Sequence, residues 1–251
     1  MACFLDLDAM VSVPINQEQM RGITTDCTNC INSNCFIKKH LHLEKMQDFV
    51  LEKTNYTCKK GQQFMIEGAP IQGLYFIYKG KVKVLKTGIY GKEQIVRLTS
   101  DGDTLGFRGF GTSNRYLIAA SAIEDTVLCN FSNDVMHAIL KSIPEFTYDM
   151  MLFYAEELNK SENRVKKIAQ MNVRERVIDI LLYLLKKFGQ TNNLLNINLS
   201  RKEIADFAGT TDEQVTRILS SLKKEGVIKI INKKIGLIQI EKLNNEIIEH
   251  K

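Results

Sequence analysis

Cys27, Cys30 and Cys35 fall within nine residues, in the stretch Asp-Cys-Thr-Asn-Cys-Ile-Asn-Ser-Asn-Cys-Phe. Clustered thiolates bind soft metals, as zinc or an iron–sulfur centre, rather than calcium or magnesium. Three ligands leave a four-coordinate site one short, and two residues compete for the fourth place. His40, beyond Cys35, would complete a zinc-knuckle-like set of three cysteines and one histidine. Cys129 is remote in sequence and would complete the all-cysteine set of a 4Fe–4S cubane. A metal-free reading stands beside both. Val127, Cys129 and Phe131 share one face of a strand pattern, where a cysteine packs as a small apolar residue. Cys3 and Cys58 have no place in the pattern.

A second group of residues suits nucleic acid. Thr210-Thr211-Asp212-Glu213 begins a helix on cap residues. At about 100° per residue, Val215, Ile218, Leu219 and Leu222 fall on one face, and Glu213, Thr216, Arg217 and Ser220 on the other. The first face is core. The second carries the groups that read base edges in a major groove: arginine on guanine, glutamate accepting from cytosine, a threonine methyl against thymine. Upstream, Ser200-Arg201-Lys202-Glu203 is a capping box opening a helix through Ile204 to Ala208, which Gly209 stops in a tight turn. Downstream, Gly226 closes the second helix. Val227 to Ile231 and Leu237 to Ile240 then read as strands around Asn232-Lys233-Lys234, a hairpin tip charged for phosphate contact. Cap, glycine turn, second cap and basic wing describe a winged helix-turn-helix. Its expected DNA contacts are Ser200, Arg201, Thr211, Glu213, Thr216, Arg217, Ser220, Lys233 and Lys234.

The elements that hold these groups follow from periodicity. A short helical stretch covers Leu43 to Leu51, and Tyr56 to Leu98 is then cut by six glycines into short apolar runs. Leu74 to Val84 is two strands around Lys79-Gly80-Lys81, and strand signal returns at Tyr116 to Ala122 and Thr126 to Phe131. Strands this short and this closely spaced form an antiparallel barrel or sandwich. From Pro144 the pattern is helical. Met151, Tyr154, Leu158, Ser161, Val165 and Ile168 recur at alternating steps of three and four, a coiled-coil seam roughly 25 Å long at about 1.5 Å per residue. Glu156, Glu157, Lys160, Glu162, Lys166 and Lys167 read as its polar outer face, which favours a partner helix over packing within one chain. Val173 to Phe188 is another amphipathic helix, ended by Gly189.

Composition sets the outer limits. The 251 residues suit two domains, and 44% are hydrophobic, enough for real cores. Mean hydropathy is −0.15, that of a soluble protein. Net charge is +5, and from Asn172 onward 14 Lys or Arg face 10 Asp or Glu, so most of the surplus lies in the last third. No run of about 18 apolar residues spans a membrane. The acidic N-terminal stretch is no secretory signal, so a cytoplasmic, thiol-reducing setting is expected. No phosphate-binding loop, dinucleotide fingerprint or nucleophile elbow occurs. His40, His42, His137 and His250 form no catalytic spacing, so the chain does not read as an enzyme.

A strand-rich domain, a long seam helix and a winged helix-turn-helix, in that order, resemble the Crp/Fnr superfamily of bacterial transcription regulators. The likeness runs from Cys27 to about Glu241. Gly102-Asp103-Thr104-Leu105-Gly106-Phe107, Ile123 to Cys129, and Thr211 to Arg217 bring it near the Fnr, oxygen-responsive branch. The resemblance implies an α+β chain: a cysteine-containing segment (1–40), an antiparallel β-roll sensor domain like those that bind cyclic nucleotides (41–143), a dimerisation helix (144–171) and a winged helix-turn-helix domain (172–251). It implies a homodimer on inverted-repeat half-sites of double-stranded DNA, with RNA polymerase as a partner. It also implies Cys129 as the fourth ligand of a 4Fe–4S cluster, although the second cysteine spacing is one residue shorter than in the best-known members, and Thr216 stands where the branch usually has serine. Cyclic AMP is not expected. The family's nucleotide pocket resembles Gly-Glu followed about ten residues later by Arg-Ser or Arg-Thr, whereas here Phe107 follows Gly106 and Tyr116 follows Arg115.

Overall fold

The computed structural model describes residues 25–112 and 114–248. Two short helices, α1 (Phe36–Lys39) and α2 (Glu44–Phe49), precede eight strands: β1 (Thr54–Cys58), β2 (Gln63–Met65), β3 (Leu74–Lys79), β4 (Val82–Thr87), β5 (Glu93–Thr99), β6 (Thr104–Leu105), β7 (Ala119–Ala122) and β8 (Thr126–Phe131). These form two antiparallel four-stranded sheets, ordered β1-β8-β3-β6 and β2-β7-β4-β5. The two predicted strands around Gly80 exist, but they do not pair with each other. β3 lies between β8 and β6, while β4 lies between β7 and β5, so the chain changes sheets at this turn. Gly80 permits it: its φ is +126°, and a Cβ there would sit 2.4 Å from Thr126 Oγ1. Between the sheets lies a core that includes Phe64, Met65, Tyr75, Ile77, Val82 and Leu128.

Helix α3 (Asn133–Ser142), capped by the Ser132 hydroxyl, precedes the 27-residue α4 (Pro144–Gln170). The sequence reading began the helical part at Pro144 and missed α3, whose apolar positions Val135, Met136 and Ile139 continue the texture of β8. Pro144 opens α4 as expected. Next come α5 (Val173–Phe188), the hairpin β9 (Gln190–Thr191) and β10 (Leu194–Leu195), α6 (Arg201–Ala208), α7 (Asp212–Lys224), the wing β11 (Ile228–Ile231) and β12 (Lys234–Leu237), and α8 (Ile240–Ile248). The wing turns on two residues rather than three. Asn232 and Lys233 both have positive φ, as a tight hairpin twist requires, so Lys234 belongs to β12 and pairs with Ile231. The expected strand from Leu237 to Ile240 is instead the end of β12 and the start of α8, whose Ile240, Leu243 and Ile247 pack on the domain core.

That core does not stop at the domain edge. Leu85, Ile95, Leu98 and Ala119 of the β-roll pack in one cluster with Ile180, Leu181, Ile204 and Phe207. Arg164 of α4 donates to the carbonyls of Ile95 (2.9 Å) and Phe207 (2.7 Å), and Lys83 of β4 pairs with Glu203 of α6 at 2.7 Å. Tyr183 Oη donates to Leu98 O at 3.2 Å.

Candidate cysteine site and nucleic-acid interface

The cysteine loop is held by small polar residues. Asp26 accepts from the Thr28 amide (2.9 Å) and hydroxyl and from Asn29 Nδ2 (2.6 Å). The Thr28 hydroxyl and amide hold the Asp26 carboxyl below the usual carboxylate range. Asn32 Nδ2 donates to Tyr78 O at 2.6 Å, tying the loop to the end of β3, and Lys38 Nζ donates to Thr28 O at 2.6 Å. Cys35 is the N-cap of α1. Strand alternation sends Leu128 into the roll and Cys129 outward, into a cluster with Ile37, Phe76 and Phe131. Cys27, Cys30, Cys35 and Cys129 thereby line one small cavity of about 20 Å³ with Thr25, and none is in a disulfide.

Two groups reach the sulfurs. Lys53 Nζ donates to Cys27 Sγ at 3.3 Å. The Thr25 hydroxyl has one proton for two neighbours, Asn55 Oδ1 at 2.7 Å and Cys129 Sγ at 3.3 Å. Burial pushes the Cys35 thiol up to about 11 and raises Cys129, an increase that the Thr25 hydroxyl and Lys53 oppose. A bound cation would reverse this preference and release protons.

Four cysteine donors of this kind suit thiolate-bound zinc or an iron–sulfur centre. Tetrahedral zinc draws four sulfurs to ~2.3 Å from one point, hence ~3.8 Å from each other. Among the described residues, no three His, Cys, Asp or Glu side chains stand close enough together to hold a metal ion as they are. His40 has another role. It is 2% exposed, with Nδ1 2.8 Å from Phe36 O and Nε2 2.9 Å from Asp149 Oδ2 of α4, and its ring packs on Phe36 and Phe146. Cys58 is buried in the roll, and Cys3 and His250 lie outside the described residues.

The roll interior is filled with rings. Tyr75 packs against Tyr56 and Phe64, and the Tyr116 hydroxyl accepts from the Gln72 amide at 3.1 Å. Phe107 packs edge-on to Phe153 and Tyr154 of α4, and Tyr154 Oη donates to its carbonyl at 2.7 Å. Arg115 Nη1 donates to Gly68 O at 2.7 Å.

The second site is built on α6 and α7. Ser200 accepts from the Glu203 amide at 3.1 Å and Glu203 reaches back to the Ser200 amide at 2.8 Å, the predicted capping box. Gly209 takes φ +64°, ψ +48°, the left-handed turn, and Thr211 caps α7. Val215, Leu219 and Leu222 are buried and Ile218 half-buried, while Glu213, Thr216, Arg217 and Ser220 are exposed on the opposite face. The Thr216 and Ser220 hydroxyls donate back to the carbonyls of Asp212 and Thr216 at 2.8 Å each, which leaves their oxygens as acceptors toward solvent. Ser200, Thr211, Lys233 and Lys234 are exposed, and Arg201 is half-buried.

Two arginines that periodicity did not single out brace this motif. Arg176 donates to the carbonyls of Ala208 (2.8 Å), Gly209 (3.4 Å) and Met171 (2.8 Å), placing a cation on the C-terminal end of α6. Arg174 pairs with Glu225 at 2.7 Å and with Glu246, joining α5, the end of α7 and α8. An available signal was the box Asn172-x-x-Glu175, which caps α5 and fixes the rotation of both arginines.

On α4 the seam residues Met151, Tyr154, Leu158, Val165 and Ile168 are exposed, Leu158 by 60% and Val165 by 68%, and Ser161 is half-buried. One polar position departs from expectation. Glu157 is buried rather than on the outer face, because Arg97 (3.5 Å), Arg108 (4.0 Å) and Lys160 (3.2 Å) surround its carboxylate.

Comparison with known proteins agrees with this architecture. A cyclic nucleotide-binding domain family matches residues 57–142, and a Crp-like helix-turn-helix domain family matches residues 175–246. Electron transport regulator A of Shewanella oneidensis is 23% identical over 229 residues, covering 89% of this chain and 90% of its own length. The fumarate and nitrate reduction regulatory protein of Escherichia coli K12 is 24% identical over 228 residues, with 89% and 90% covered. The structure of FixK2 from Bradyrhizobium japonicum superposes with a TM-score of 0.70 at 24% identity, covering 77% of this chain and 96% of that one. Both functional halves are thus matched in order within one fold, and the chain belongs to the Crp/Fnr superfamily of transcription regulators.

Proposed function

We propose that this regulator is a homodimer that binds inverted-repeat half-sites of double-stranded DNA and senses oxygen or redox state through a 4Fe–4S cluster on Cys27, Cys30, Cys35 and Cys129. The observation that carries the reading is the shared cavity of the four thiols, three from one loop and one from β8. Relatives named for anaerobic regulation and for fumarate and nitrate reduction support an oxygen-linked signal. A bound cluster supplies iron–sulfur bonds that oxygen can attack, chemistry that zinc lacks. The chain's own residues do the rest. Engaged thiolates hold the loop against β8. Phe36 and His40 pass that position to Phe146 and Asp149 in the first turns of α4. Released thiolates would free the loop, and α4 would lose a brace beside the dimer seam. The spacing of two α7 helices would then depart from the about 34–36 Å that adjacent half-sites demand. RNA polymerase is the expected further partner, and the cytoplasm the expected compartment. No helix among the described residues is long and apolar enough to cross a membrane.

Spectroscopy of anaerobically prepared protein tests this directly. Broad visible absorption should be present in the parent, absent in Cys129→Ala and retained in His40→Ala. A colourless parent that loses its metal with His40 and keeps it without Cys129 would mean zinc. A colourless, metal-free parent after anaerobic reconstitution would overturn both metal readings.

A further inference from the structure

A cleft of about 780 Å³ lies between the β-roll and the winged helix, walled by β5, α4, α5 and α6, with Ser161 and Ile168 of the proposed dimer seam on its α4 edge. That volume falls within the roughly 300–1,000 Å³ of small-molecule sites. Nine of its lining residues are Lys or Arg and three are Asp or Glu. The lining therefore carries a surplus of six positive charges. All three acids are already engaged: Glu157 by Arg97 (3.5 Å), Asp103 by Lys187 (2.7 Å) and Asp179 by Lys167 (2.5 Å).

Four cations form no ion pair with a carboxylate among the described residues, Arg164, Lys166, Arg176 and Lys186, although the charge of Asp179 also acts on Arg164. Arg164 meets two backbone carbonyls and the Phe207 ring, 4.2 Å from its centre, and Arg176 meets backbone carbonyls, partners that orient a guanidinium without neutralising it. Like charges sharing a cleft with low-dielectric walls repel one another and focus a field that draws anions. Between them the wall is apolar, with Ile180, Tyr183 and Ala208. Cationic rim and apolar floor together suit a molecule with an aromatic ring and several negative charges.

We propose that this cleft binds a small organic polyphosphate of nucleotide size, separately from both the thiol cavity and the ring-filled roll interior. A ligand there would touch sensor sheet, dimer helix and helix-turn-helix at once. It would therefore hold the DNA-binding domain in the docked position seen here.

Titration calorimetry on the full-length protein, with ATP and inorganic pyrophosphate as probes, tests the proposal. ATP should bind with micromolar affinity, and pyrophosphate, lacking the ring, should bind about tenfold more weakly. The double variant K166Q/K186Q alters only exposed rim residues and should fold normally. It should bind ATP at least about tenfold more weakly, with a shallower salt dependence. Absence of binding at millimolar ATP, or equal affinity in parent and double variant, would overturn the proposal. So would loss of binding to a random DNA duplex in the double variant with ATP affinity unchanged, since the cleft would then be a surface for the DNA backbone.

Discussion

Arg217 stands on the exposed face of α7, one turn beyond Glu213. Replacing it with alanine should weaken binding to a specific operator by about 1–3 kcal/mol and relax preference at one base pair. Lys233→Ala should instead weaken all sequences alike and flatten the salt dependence, as loss of a phosphate contact does. Fluorescence anisotropy with an operator and a scrambled duplex separates the two. Cys58 gives a prediction about pH. Burial pushes its thiol up to about 11 from 9.0, so the folded state keeps the proton that the unfolded state gives up first. Its contribution to stability is complete below pH 9 and is lost as pH rises toward 11. Denaturant midpoints should therefore fall between pH 9 and 10, and less steeply in Cys58→Val. The spacing of Cys27, Cys30 and Cys35 and the two faces of α7 were readable from residue types alone. The use of His40 was not, because its partner Asp149 is brought to it only by the packing of α1 on α4.

Helix α4 buries only Phe146, Met150 and Glu157 against its own chain, leaving an apolar stripe on the surface. In the proposed dimer, Leu158→Glu would place a charge against its symmetry mate in that stripe, and an unpaired buried charge costs roughly 3–5 kcal/mol. Sedimentation should show the dimer shifted to monomer, and an unchanged dimer would place the interface elsewhere. The brace at Arg174 predicts a local effect. In Arg174→Met, Glu225 and Glu246 would face each other uncompensated, and the winged helix should lose about 1–2 kcal/mol, read from thermal unfolding with operator binding at saturation preserved. Capping boxes and heptad steps announced α4 to α7 in the sequence because those signals are local. The sheet change at Gly80, the two-residue wing turn and α8 were misread or missed, since strand pairing is decided by distant partners. The run from Ile235 to Ile240 also suits strand and helix alike until Leu243 finds its core.

The continuous core between β5 and α6 makes the two domains one mechanical body. Ile95 is fully buried at that junction, so Ile95→Ala should cost about 2–5 kcal/mol. Calorimetry should show both domains melting earlier together; a parent with two well-separated transitions would mean that the junction transmits little. The position of β8 has a consequence of another kind. It is flanked on both sides, by β1 and β3, so the amide of Cys129 belongs to the part of the sheet that opens only with global unfolding. The loop of Cys27, Cys30 and Cys35 lies in no sheet, and the amides of Cys30 and Cys35 are held only by turn hydrogen bonds to the Cys27 and Asn32 carbonyls, so they should exchange with deuterium faster than that of Cys129. The four thiols therefore join a slow clock to a faster one. If they hold the proposed cluster and lose it, the loop would set the lifetime of the open state, while β8 would keep the fourth sulfur in place for its return.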